Sequence, residues 1–236
     1  MTKKVSFDIC RPCLRSLPLG AGKLYRLLGG YECHAGWGSQ GFRLSRGADH
    51  GYEMLLDLSD VFQRETYYLG KFYEWDVQAL MQAVLRPGDT FLDVGANIGM
   101  LMLLGARLVG KEGCVLAFEP NPEARAHLQM HVLMNRLKNV QVLDVALSYQ
   151  RQELALSVSG DRSGVGTLRE VNDADARFAV HTALLDDYVD RVPPDGRVLL
   201  KTDVEGYDFH VLKGASKVLA RREVAVISEV NPQWLK

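Results

Sequence analysis

From Thr90 onward, short apolar runs alternate with segments of helical spacing: "TFLDV", a helix from about Ile98 to Val109, "CVLAFE", a helix from about Pro122, "VQVLD", "RVLLKTD", a helix from about Tyr207, and "VAVISE". Such alternation predicts an α/β fold, with right-handed crossovers and a mostly parallel sheet carrying helices on both faces. Helix starts agree with it. Asn121 followed by Pro122 reads as an N-cap and an N1 proline, and Glu123 falls in the first turn, where the helix dipole favours an anion. Ahead of the first strand, "DVQALMQAVLRPGD" places Val77, Leu80, Met81, Val84 and Leu85 at helical spacing before Pro87 and Gly88 end it. "GYEMLLDLSD" at 51–60 reads as a strand and a turn. Between about Ser148 and Val180 the pattern breaks into "ELALSVSG" and "GVGTLRE", which predict an antiparallel excursion.

A chain of 236 residues, 47% apolar and 24% charged, can bury one sizeable core. It has no apolar run near the roughly 18 residues of a membrane span, so no membrane partner is expected. The start "MTKKVSFDIC" is too polar for a signal peptide, which makes the cytoplasm the expected location. Residues 1–46 carry eight basic residues against Asp8 and Glu32, read as a solvated basic face, and nucleic acid is not indicated. Cys10, Cys13 and Cys33 with His34 look superficially like zinc ligands. Adjacent Cys33 and His34 would struggle to reach one tetrahedral ion, however, and no second C-x-x-C follows. Cys114 opens an apolar strand and reads as core.

Each proposed strand ends at or beside an acid: Asp93, Glu119, Asp144, Asp203 and Glu229. In a parallel sheet these lie on one rim, where open α/β folds bind ligands. The turn after the first strand runs Gly95, Ala96, Asn97, Ile98, Gly99, which is not the G-x-G-x-x-G of a pyrophosphate site, and an acid precedes it. A nucleoside ligand without phosphate and with positive charge fits best, and S-adenosylmethionine is such a ligand. Asp93 would favour its ammonium group directly or through water, and Glu119, 24 residues after Gly95, would accept from both ribose hydroxyls. Asp144 is placed to reach the adenine amino group or, equally, to satisfy a local turn. On this reading a valine at Gly95 would block the cofactor and leave the fold largely intact.

In order, "FLDVGANIGM", "AFEPNPEARAHL", "DVALS", "LLDDYV" and "LLKTDVEGYDFHVLKGA" resemble the motif series of the FkbM-type S-adenosylmethionine-dependent methyltransferases, over about residues 70–231. The resemblance implies the Rossmann-like class I methyltransferase sheet and methylation of a hydroxyl on a sugar or small natural product. It divides the chain into a small α+β cap at 1–70 and a cofactor-binding domain at 71–236. It assigns Asp93, Gly95, Ala96, Asn97 and Gly99 to the first cofactor loop and Glu119, Pro120 and Asn121 to the ribose turn. Asp144 and Ala146, within "DVALS", join the cofactor-binding set. Asp203, Glu205 and Gly206 match the family's "D-V-E-G" segment. Thr202, His131 and Asp208 depart mildly from the pattern.

The resemblance also implies a further helix and two strands, whereas the chain ends seven residues past Glu229, an apparently shortened C-terminus. The exposed sheet edge this predicts needs a cover: more chain, the N-terminal region, or a partner such as a second copy in a homodimer. Asp203 is the expected general base for a hydroxyl acceptor, with Glu205 second and closer in role to the positive end of the next helix. His210 reads as solvated surface. A nicotinamide oxidoreductase and a cofactor-binding protein without turnover are the competing readings. No metal is assigned, although Asp203, Glu229 and Asn231 could supply oxygen ligands.

Overall fold

The structure is a computed structural model that describes residues 2–17, 20–31, 41–158, 166–168 and 176–229. The chain divides into two compact units, Met1–Trp75 and Asp76–Lys236. The division falls after Trp75, where the sequence reading drew it after residue 70. Cys33, His34 and Asn231 lie outside the described residues.

In the first unit, helices α1 (Thr2–Ser16) and α2 (Ala21–Leu27) precede an antiparallel hairpin of β1 (Phe42–Arg46) and β2 (Glu53–Asp57), then α3 (Val61–Leu69). Asp60 caps α3 by accepting from the Gln63 amide, and Gly70 ends it in the left-handed conformation. The core of this unit is partly polar. Buried Arg64 donates from Nη1 to the carbonyls of Leu58 and Ser59 and from Nε to that of Gly30, and Tyr31 donates to Glu65. Arg11 stacks over the Tyr67 ring at 3.7 Å. Cys10 and Cys13 sit on α1 as free thiols.

Helix α4 (Trp75–Val84) begins at the last residue of the first unit, and the second unit builds a five-stranded parallel sheet in the order β11-β10-β3-β4-β5. Its strands are β3 (Thr90–Val94), β4 (Cys114–Phe118), β5 (Val140–Leu143), β10 (Val198–Thr202) and β11 (Val224–Ser228). Helix α5 (Met100–Val109) joins β3 to β4, and α6 (Pro122–Met134) joins β4 to β5. Strands β3 and β10 are buried along their whole length, as expected when helices cover both faces. Leu92, Val94, Leu116, Phe118 and Leu200 pack with Leu185, Val211 and Val218 on one face. On the opposite face Phe91 lies so close to α5 that a Cβ on Gly105 would come within 2.3 Å of its ring.

After β5 the chain makes the antiparallel excursion expected from the sequence. Strand β7 (Glu153–Val158) pairs antiparallel with β8 (Gly166–Thr167) and β9 (Ala176–Ala183), and β6 (Ala146–Leu147) joins β9 in parallel. A 3-10 helix (Leu185–Arg191) leads back to β10. Short helices α7 (Asp208–Lys213) and α8 (Ser216–Leu219) link β10 to β11. Because β4 and β5 extend to one side of β3 while β10 and β11 lie on the other, strand order reverses between β3 and β10. A crevice for a ligand opens at such a switch point, beyond the carboxyl ends of the strands.

Candidate functional site

At the end of β3 the chain turns sharply. Gly95 takes φ +77 and Gly99 φ +89, with Asn97 between them at φ 51. The amides of Gly95 and Ala96 both donate to the Phe118 carbonyl at 3.1 Å, and that of Gly99 returns to the Ala96 carbonyl at 2.8 Å. A Cβ on Gly95 would lie 2.1 Å from the carbonyl oxygen of Asp203. Glycine is therefore required by the approach of two backbones as well as by the positive φ. This corrects the expectation that valine would leave the fold intact, because the clash is with the protein itself.

Glu119, just past β4, is 7% exposed and holds the turn from the other side. Its Oε2 accepts the Asn97 amide at 2.7 Å and its Oε1 the Asn121 amide at 2.8 Å. A carboxylate offers about four lone-pair sites, so two remain for a neighbouring diol. Burial pushes the Glu119 carboxyl up to about 7, against the opposing pull of those two amides and of Lys201. Pro120 gives its carbonyl to Arg125, and the Asn121 side chain caps α6 through the Glu123 amide at 3.0 Å. Fully buried His131, reaching back from α6, donates from Nδ1 to the Ile98 carbonyl at 2.8 Å; the carbonyl can only accept, which fixes the proton on that nitrogen. The departure at His131 thus ties the glycine turn to the next helix.

Across the switch point lies a residue the sequence reading passed over. Lys201, only 4% exposed, stands on β10 directly opposite Asp93 on β3, so both side chains share one face of the sheet. Its Nζ donates to the Gly95 carbonyl at 3.2 Å and lies 3.6 Å from both Asp93 Oδ1 and Asp203 Oδ2. Asp93 is fully buried, yet neither of its oxygens accepts a hydrogen bond among the described residues, and Asn97 Oδ1 is in the same position. Burial drives the Asp93 carboxyl upward, Lys201 opposes it, and Asp203 adds to the rise. The signal for Lys201 was a charged residue inside an otherwise apolar central strand.

Asp203, Glu205, Asp208 and Glu229 cluster beyond β10 and β11. Burial, then the charge of Asp203, raises the Glu229 carboxyl to about 7, and burial likewise raises Asp208. The Asp203 side chain is 27% exposed. Glu205 has a left-handed backbone at φ 52, uncommon for a residue with a long side chain, and its carbonyl accepts from Thr167 Oγ1 at 3.0 Å. Thr202 donates to Ser228 across the β10–β11 pair at 2.9 Å. His210 is half-buried and stacks on Tyr207 with centroids 4.2 Å apart, which corrects its reading as solvated surface.

Two of the expected cofactor residues have partners of their own. Asp144 is 68% exposed, and its carboxylate pairs at 2.7 Å with Arg125, whose guanidinium also donates to the Glu119 and Pro120 carbonyls. Ala146 lies in β6, in a small apolar cluster with Leu156 and Val180. Among the described residues no three His, Cys, Asp or Glu side chains gather as metal ligands, and no helix is long and apolar enough to cross a membrane.

The site suits S-adenosylmethionine. The two unpartnered Asp93 oxygens suit an ammonium group, and the two spare lone pairs of Glu119 a ribose diol. A family model described as the Methyltransferase FkbM domain matches residues 93–236. The chain is 30% identical over 148 residues to Methyltransferase 1 of Beauveria bassiana, a match taking in 54% of this chain and 59% of that protein. It therefore spans less than two thirds of that relative's length. It is 49% identical over 53 residues to the 31-O-demethyl-FK506 methyltransferase FkbM of Streptomyces tacrolimicus, covering 22% of this chain and 20% of that one. It is also 31% identical over 151 residues to the ribosomal RNA large subunit methyltransferase E of Chromohalobacter salexigens, covering 61% and 70%. The family match begins at the buried carboxylate of Asp93 and takes in the glycine turn, Glu119 and the acids beyond β10: the chain belongs to the FkbM methyltransferase family, whose methyl donor is S-adenosylmethionine.

Proposed function

We propose that the chain is an O-methyltransferase whose acceptor is a hydroxyl on a sugar or small natural product. The observation that carries this reading is the part-exposed carboxylate of Asp203, which sits at the switch point with its own backbone against the Gly95 turn. The bound donor supplies an electrophilic methyl group. A hydroxyl acceptor must lose its proton as the new bond forms, and Asp203 is the carboxylate best set to take it. The chain's remaining contribution is positioning, since the departing sulfur becomes neutral and leaves no anion to stabilise. Glu119 would hold the ribose, and Asp93 the ammonium end. The similarity to a methyltransferase named for an oxygen on FK506 supports an oxygen acceptor of natural-product type.

A second reading, an RNA acceptor, draws on the similarity to a ribosomal RNA methyltransferase. Labelled donor offered to a panel of hydroxylated small molecules and to RNA separates the two. With the true acceptor, Asp203→Asn is expected to lower kcat by roughly 10² to 10⁴ while S-adenosylhomocysteine affinity stays nearly constant. Unchanged turnover removes Asp203 from the reaction, and a matching loss of affinity makes it a binding residue.

A further inference from the structure

We propose that Lys201 is a positioning residue of the donor site: it pins the Gly95 turn and holds Asp93 as an anion, so that the pocket meets the donor's ammonium group already charged. The inference rests on the reading of Asp93 as the partner of that ammonium. The Lys201 ammonium, on a buried strand, donates to Gly95 O at 3.2 Å and forms ion pairs with Asp93 Oδ1 and Asp203 Oδ2, each at 3.6 Å. At 3.6 Å the contact with Asp93 is an ion pair, and neither buried Asp93 oxygen has a hydrogen-bond partner among the described residues. The lysine therefore supplies charge to Asp93 without consuming the lone pairs a ligand needs.

Its surroundings are otherwise acidic. Asp203 acts on Asp93 directly, Glu119 lies within electrostatic reach of both Asp93 and Lys201, Asp208 on α7 and Glu229 past β11 lie within reach of Asp203, and Glu205 within reach of Glu229. On α5, packed against this face, the one charged residue is Arg107, which is exposed. Lys201 is thus the cation paired with a carboxylate that burial and a like charge both drive toward protonation. A protonated Asp93 would present one donor where the ammonium of the ligand needs acceptors, and binding would first require removal of that proton.

Lys201→Gln keeps a donor for the Gly95 carbonyl and removes the charge, whereas Lys201→Met removes both. Each is titrated with S-adenosylhomocysteine by calorimetry from pH 6 to 9, in two buffers of different ionisation heat. An opposite charge nearby shifts a carboxyl by roughly 1–3 pH units, so both variants should bind roughly tenfold or more weakly at pH 6.5 than at pH 9, beyond the wild-type difference. They should also release more protons on binding than wild type does. The sign follows from the chemistry: without the cation Asp93 ionises only at higher pH, and affinity falls as pH drops through that point. Lys201 also holds Glu119 down, so the carboxyl-carbon chemical shift of Asp93, followed in all three proteins, assigns the added pH dependence to Asp93 and not to Glu119. Loss of affinity by an equal factor at every pH would make Lys201 a structural pin and overturn the proposal, as would unchanged affinity. Wild-type protein that binds no S-adenosylhomocysteine at any pH would overturn the donor site itself and this inference with it. Should the variants fail to fold, the carboxyl-carbon chemical shift of Asp93 in wild-type protein decides. An anion throughout pH 6 to 9 is expected, and a neutral acid at pH 7 overturns the proposal.

Discussion

At the β4 end of the rim, Glu119 spends two of its lone pairs on the backbone amides of Asn97 and Asn121. At the β10 end, the oxygens of Asp93 accept no hydrogen bond among the described residues and are balanced instead by the charge of Lys201. One carboxylate is placed by directional bonds to a loop, the other by a buried cation on the neighbouring strand. The first arrangement is sensitive to backbone geometry and the second to charge. Substitutions should therefore fail in different ways on the two sides, by loss of structure at the turn and by pH-dependent loss of affinity beside Lys201.

The largest effect is expected at the turn. Gly95→Ala places a methyl group 2.1 Å from the Asp203 carbonyl, on a backbone at φ +77. The left-handed backbone alone costs roughly 1–3 kcal/mol for a residue with a side chain, and the clash adds to it. A marked drop in melting temperature should accompany the loss of S-adenosylhomocysteine binding. A variant that melts normally yet fails to bind would move the role of Gly95 from protein geometry to ligand contact. The smallest effect is expected at Asp144→Ala. It removes an ion pair between an exposed carboxylate and the largely buried Arg125, which keeps its bonds to the Glu119 and Pro120 carbonyls, and should leave binding within about threefold of wild type. A loss of tenfold or more would show that Asp144 reaches the adenine after all and would extend the directional side of the rim to β5.

The parallel sheet was legible because its strands are apolar runs of fixed length separated by helix signals as plain as Asn121-Pro122-Glu123. Glu119 and Asp93 could be read from their positions at strand ends. Lys201 could not, because a strand reading records that a residue lies in a strand and not which neighbour it faces. Its meaning appears only once β10 is known to pair with β3 in the register that sets Lys201 against Asp93. The role of Gly95 was misread for a similar reason. The backbone it must clear belongs to Asp203, more than a hundred residues away in sequence, and no local pattern announces that approach. His210 looked solvated because a helical wheel shows nothing of Tyr149, which approaches from the segment after β6 with centroids 5.3 Å apart.

The central claim is that Glu119 and the glycine turn form a site for the nucleoside of S-adenosylmethionine, and calorimetry with S-adenosylhomocysteine and NAD on wild-type protein and Glu119→Ala tests it most directly. The Glu119 carboxyl is raised to about 7, and ribose hydroxyls bond best to its anion. Wild-type affinity for S-adenosylhomocysteine should therefore rise as pH climbs through about 7 and then level off, and NAD should not bind. Glu119→Ala should weaken binding by roughly 1.5–3 kcal/mol and lose that part of the pH dependence. Unchanged affinity in Glu119→Ala, or NAD binding as tight as that of S-adenosylhomocysteine, would contradict the assignment.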